Sequence, residues 1–234
     1  MKIGEAEEAL FAEWRSSWSE STQEQFVRDG VVDEEAYLAS SPRLLFVLKE
    51  VNDAGPGGGG WDLREFIRNR ACDYPYTWPN ISRWIEGIRR LPQDIPWQEL
   101  EEINPTRKQR ALHSIAAVNL KKSPGGGSTD PSALWTAVTA DKLFLKRQLT
   151  LYGADIVICC GTGDCVRWLF ELDGEYTQGG IWCAEFGHGV LVSYVHPAAR
   201  IGNYLMHQRL MDALRTKYPP AAANLADPKT ESGK

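Results

Sequence analysis

With 234 residues, of which 43% are hydrophobic and 24% charged, the chain has enough apolar surface for a core covered on both faces, which excludes disorder over most of its length. The net charge of −5 excludes a broadly basic nucleic-acid coat and leaves only a local basic face for that purpose. Apolar stretches such as Ile156 to Cys160 and Val190 to Val195 fall far short of the ~20 residues that cross a bilayer, so no membrane span is expected.

Residues 3 to 28 carry Leu10, Trp14, Trp18 and Phe26 at near-helical spacing, which predicts one or two amphipathic opening helices. Glu5, Glu7 and Glu8 stand where an export signal would carry positive charge, and the expected location is the cytoplasm. After Pro42, the run Leu44 to Leu48 reads as a strand buried on both faces, followed at once by Lys49, Glu50, Asn52 and Asp53. Pro56 and the glycines Gly57 to Gly60 then predict a mobile loop beside the strand end. Helices are expected at Asp62 to Arg70 and Ile81 to Arg90, the second capped by Asn80, with an aromatic loop from Tyr74 to Trp78 between them.

A second buried strand, Ser114 to Val118, ends at Asn119 and leads into Lys121, Lys122, Ser123, Pro124 and three glycines. Asp130 to Leu151 reads as one long helix with Asp130 as cap and Pro131 as first residue. The strand Asp155 to Cys160, a glycine turn at 161 to 163 and a helix from Asp164 to Phe170 follow. Ile181 to Phe186 and Val190 to Val195 form a hairpin around Gly187-His188-Gly189, and the second strand runs out at His196-Pro197. Tyr204 to Tyr218 is the closing helix.

Four strand patterns, starting near residues 44, 114, 155 and 190, alternate with helices, so the expected fold is a three-layer α/β/α domain with a central four-stranded, largely parallel sheet. One domain over residues 1–218, a disordered tail over 219–234 and a monomer are expected. Ligands of such sheets bind outside the carboxyl ends of the strands, where Glu50, Asn119, the glycine turn and His196 all fall. Five cysteines without a C-x-x-C pair read as reduced, mostly buried thiols, and no metal, cluster or other cofactor is expected.

Three of these exits resemble motifs of the uracil-DNA glycosylase superfamily. Leu48-Lys49-Glu50-Val51-Asn52 stands in place of a first motif of the type Gly-x-Asp/Asn/Glu-Pro-Tyr/Gly, Val118-Asn119 with the basic Lys121-Lys122-Ser123-Pro124 loop resembles the middle motif, and His196-Pro197-Ala198-Ala199-Arg200 resembles the last. Val51 replaces the usual proline, Leu48 and Lys49 the glycine start, and Ala198 the serine after His-Pro, so a divergent member is implied.

The resemblance implies removal of uracil or another deaminated base from single- or double-stranded DNA, without a metal. Glu50 and His196 would be the catalytic pair. Glu50 would stabilise the sugar cation and orient a water, while His196 donates to the departing base. Asn119 would read the base edge, Asn52 would belong to the binding set, Tyr76 or Trp78 would stack on the base, and Lys121, Lys122 and Arg200 would hold phosphate. Arg64, Arg68, Arg70, Arg89 and Arg90 would extend that face.

On residue type alone, other readings stay open: Glu50 as a solvated carboxylate, His196 as a strand cap, Asn119 as a turn residue, Tyr76 and Trp78 as core aromatics. A catalytically altered protein of this fold that binds nucleic acid, a nucleotide or a base is the alternative, and a hydrolase of small nucleosides is a third.

Overall fold

A computed structural model describes residues 2–53, 55, 57–71, 76–102 and 104–218. The expected tail at 219–234 and Tyr74 of the aromatic loop lie outside these residues. In chain order the elements are α1 (Ile3–Ser16), α2 (Glu20–Gln23), β1 (Gly30–Val31), α3 (Glu34–Leu38), β2 (Leu44–Leu48), α4 (Leu63–Asn69), α5 (Thr77–Arg90), α6 (Trp97–Glu101) and α7 (Pro105–His113). Then come β3 (Ile115–Asn119), α8 (Pro131–Ala140), α9 (Lys142–Leu151), β4 (Ile156–Cys160), α10 (Gly163–Phe170), β5 (Gly174–Tyr176), β6 (Trp182–Phe186), β7 (Gly189–Tyr194) and α11 (Asn203–Lys217).

Among the described residues the sheet has seven strands in the order β1-β3-β2-β4-β7-β6-β5, not the four expected. The four expected strands are its parallel middle, and β2, β3 and β4 are buried at every position, as their unbroken apolar runs require. The additional strands β1, β6 and β5 pair antiparallel at the two margins. β6 and β7 form the expected hairpin, whereas β1 has two residues and β5 three exposed ones, too few for a period-2 pattern.

Side-chain alternation divides the core in two. Leu44, Phe46 and Leu48 of β2 join Ile67 of α4, Trp84 and Ile88 of α5, Leu112 of α7 and Leu210 of α11 on one face. Leu45 and Val47 join Trp14 of α1, Val138 of α8, Leu149 of α9 and Val166 of α10 on the other.

The single long helix expected from Asp130 is two helices broken at Asp141, although Asp130 does cap α8 by accepting from the backbone of Ser132. The helix expected from Ile81 begins four residues earlier. Asn80 therefore lies inside α5 rather than capping it.

The chain leaves β2 through α4–α7 to reach β3 on one side, then passes through α8 and α9 to reach β4 on the other. The helical connections from β2 and β3 depart to opposite faces of the sheet, and the strand order reverses between β2 and β4, at whose carboxyl ends sheets of this kind bind their ligands.

Candidate functional site

The exits of β2 and β3 stay paired beyond the strands. Leu120 donates to the Leu48 carbonyl at 3.0 Å, Lys121 to that of Lys49 at 2.9 Å and Gly125 to that of Val51 at 2.8 Å, while Asp53 donates back to Gly125 at 2.9 Å. This prolonged ladder brings the glycine loop against Glu50. A Cβ on Gly125 would sit 2.1 Å from Cδ of Glu50, so the loop passes there only because residue 125 has no side chain.

Glu50 is half-buried as a residue, but its side chain is only 4% exposed and pairs with the ammonium of Lys121. That ammonium also donates to the carbonyl of Pro124 at 2.9 Å and reaches that of Ser123 at 3.4 Å. All three donors are thus directed within the protein, so the phosphate role expected of Lys121 gives way to a tie that fixes the loop to Glu50. Asn52 is exposed and bridges to Gly125 through its backbone.

Asn119 ends β3 with 2% of its surface exposed. Its backbone N–H donates to Asp29 at 2.8 Å, and its side-chain Nδ2 is buried with no hydrogen-bond partner among the described residues. Leaving an amide donor in that state costs about 1–3 kcal/mol.

Behind it lies an ion pair that sequence reasoning missed. Lys122, expected at phosphate, is fully buried and donates to both oxygens of Asp29 at 2.6 and 2.7 Å, with its ammonium 5.0 Å from the ring of Trp14. Gln148 donates to the same carboxylate at 2.8 Å. No local pattern announces a pair separated by 93 positions.

His196 follows β7. Its Nδ1 accepts from the backbone N–H of Ala198 at 3.1 Å, so the neutral ring carries its proton on Nε2. Burial, assisted by the charge of Lys49, lowers its pKa and favours that neutral form. The adjoining Pro197 carbonyl accepts from Asn80 at 2.8 Å, and Arg83 in turn donates to Asn80 at 2.9 Å, so α5 pins the His-Pro turn.

Glu50, Asn119 and His196 therefore share the carboxyl-end rim of the parallel strands. A cleft of about 340 Å3 opens on this rim and is lined by Gly161, Gly180, Ser193, Tyr194, Val195 and Arg209 among others. It adjoins His196 in sequence, but none of the three expected residues lines it. A larger cleft of about 660 Å3 lies at the opposite, amino-terminal end of β7, walled by Glu185, Gly189, Lys217 and Tyr218, remote from the rim.

Trp78 is a core residue, 6% exposed and 6.3 Å from Phe66, which removes it as a stacking platform. Tyr76 is 71% exposed at the entrance to α5. Arg200 is exposed in the His-Pro loop. Arg64 is buried and held by Glu7, Glu8 and Asp62, and Arg89 donates to Ser40 and the Ser114 carbonyl, so these two do not form the outward basic face expected of the arginines.

Among the described residues no helix is long and apolar enough to cross a membrane. Cys159, Cys160, Cys165 and Cys183 are buried free thiols whose pKa values burial pushes up. No family model matches the chain, and no curated protein matches it.

Proposed function

We propose that the protein is a glycosylase-like hydrolase that removes uracil or another deaminated base from DNA, working as a cytoplasmic monomer without a metal. The observation that carries this reading is the buried Asn119, whose Nδ2 has no partner among the described residues, on the same rim as a carboxylate and a histidine that burial shifts towards its neutral form. An amide offers a donor and an acceptor side by side, the complement of a uracil edge with its carbonyl oxygen and ring N–H. The resemblance of the three strand exits to the uracil-DNA glycosylase superfamily supports the same reading.

In this reaction the bond between base nitrogen and sugar carbon breaks, its electron pair leaves with the base, and positive charge grows on the sugar. Glu50 faces the sugar, offsets that charge and orients the attacking water. The water oxygen bonds to the sugar carbon and its proton is released, while Nε2–H of His196 donates to the base as it becomes anionic. One water is consumed.

The experiment is incubation of the purified protein with single- and double-stranded oligonucleotides carrying uracil, hypoxanthine or xanthine, followed by cleavage at abasic sites. Abasic product is expected, with strong losses in Glu50→Gln and His196→Ala. No product from any substrate, beside an active control enzyme, rejects the reading.

The engagement of Glu50 by Lys121 favours the alternative, a protein of this architecture that binds a nucleotide, base or nucleic acid without cleaving it. Tight, steeply salt-dependent binding with no abasic product identifies that case for DNA.

A further inference from the structure

Lys49 is the residue that the site as described leaves without a task. It follows β2 directly, at the carboxyl end of the strand where the order reverses between β2 and β4. Its side chain crosses to the exit of β4. The position a Cβ would take on Gly161 lies 3.1 Å from Cε and 3.5 Å from Nζ of Lys49, and 3.8 Å from Cβ of His196.

Gly161 has φ of +72° and donates to the Tyr194 carbonyl at 2.7 Å, so backbone shape and lack of a side chain together admit the lysine beside the histidine. Thr162 secures the same corner by donating from Oγ1 to the Val47 carbonyl at 2.8 Å.

Lys49 forms no ion pair among the described residues, in contrast to Lys121 and Lys122, its neighbours on the rim. Of the groups around the corner, the Cys165 thiol at the head of α10 is neutral, its pKa pushed up to about 11 by burial, while Asp164 and Arg200 face solvent. Lys49 is thus a positive charge with no counter-ion within ion-pair distance among the described residues, held beside an imidazole at the switch point of the sheet.

We infer that Lys49 is a further catalytic residue, binding the negative charge that gathers on the departing base while His196 supplies a hydrogen bond to it. This rests on the reading under Proposed function. The charge balance follows from that reaction: the electron pair of the broken bond resides on the base, Lys49 holds the anion electrostatically without transferring a proton, neutral His196 donates a hydrogen bond and keeps its proton, and the proton released by the attacking water reaches the base through solvent. A fixed cation suits this task because its attraction grows as the bond breaks and is small for the neutral base of the ground state.

The test joins an NMR titration of the His196 ring with base release from a uracil-containing oligonucleotide, in wild type, Lys49→Met and Lys49→Arg. Loss of the cation in Lys49→Met is expected to raise the His196 titration midpoint by about half a pH unit or more. Base release is expected to fall roughly 100-fold in kcat with little change in KM, and Lys49→Arg to recover most of both effects. An unchanged His196 midpoint in Lys49→Met overturns the inference whatever the activity, because the two side chains then do not face each other. A raised midpoint with undiminished release overturns the catalytic role alone. Wild-type protein that releases no base overturns the proposed function, and Lys49's part in it falls with it.

Discussion

The Cα of Gly125 lies against the carboxyl group of Glu50 so closely that a Cβ would come within 2.3 Å of every atom of that group. Glu50 cannot simply swing aside, because its carboxylate is buried and tied to Lys121, whose other bonds fix the same loop. Gly125→Ala is therefore expected to break the Glu50–Lys121 pair, lower stability by about 1–3 kcal/mol in urea unfolding and abolish base release. Full activity in a folded Gly125→Ala protein would remove Glu50 from the chemistry.

Lys122 and Asp29 form an ion pair with both side chains wholly buried. Removing one partner strands a charge in the core, and Lys122→Met is expected to cost about 3–5 kcal/mol. The double variant Asp29→Leu, Lys122→Met leaves no uncompensated charge and should lose well under the sum of the two single losses, by the cycle of four unfolding free energies. Additive losses would mean that the two groups do not stabilise one another.

How far these features were legible depends on how local their causes are. The parallel middle strands could be read because Leu44 to Leu48 and Ile156 to Cys160 are apolar at every position, and the rim followed from what comes next in sequence. The margins could not, since Gly30–Val31 is too short to show a period and owes its place to pairing with β3. Trp78 and Tyr76 are two residues apart with opposite fates, which depend on how α5 meets the sheet and not on residue type. Lys121, Lys122 and Arg64 look alike as surface cations in sequence. Only distant carboxylates reveal them as internal ties. Lys49 was visible only as a departure from a motif, because its place beside Gly161 and His196 depends on the neighbouring strands.

His207 of α11 is 2% exposed, and neither ring nitrogen has a hydrogen-bond partner among the described residues. Gly87 brings α5 so near that a Cβ there would lie 2.4 Å from Nε2, and the Trp97 ring stands 5.9 Å away. Burial, aided by Arg83, lowers its pKa from 6.5 to about 4. The folded state therefore favours neutral His207, so its contribution is complete above pH 6.5 and is lost as the pH falls towards 4. The loss amounts to about 3 kcal/mol. Between pH 7 and pH 4 the wild type should lose that much more stability than His207→Leu in paired urea titrations. Parallel pH profiles would show that His207 finds a proton partner inside the fold.

Asn119 gives the sharpest separation between folding and function. Its Nδ2 is buried without a partner among the described residues, so the fold carries a desolvated donor that no bond from them offsets. Replacing it with an apolar group of similar size, Asn119→Leu, removes that donor and keeps the backbone N–H that Asp29 accepts at 2.8 Å. The variant is expected to be as stable as the wild type or more stable by about 1 kcal/mol, while affinity for the base falls at least tenfold. Asn119→Asp keeps the shape but presents two acceptors, so it should lose discrimination for uracil while perturbing the fold more than leucine does. Thermal unfolding and inhibition by free base measure the two effects separately. A marked loss of stability in Asn119→Leu would mean that the amide serves the core, and unaltered inhibition would mean that the base is read elsewhere on the rim.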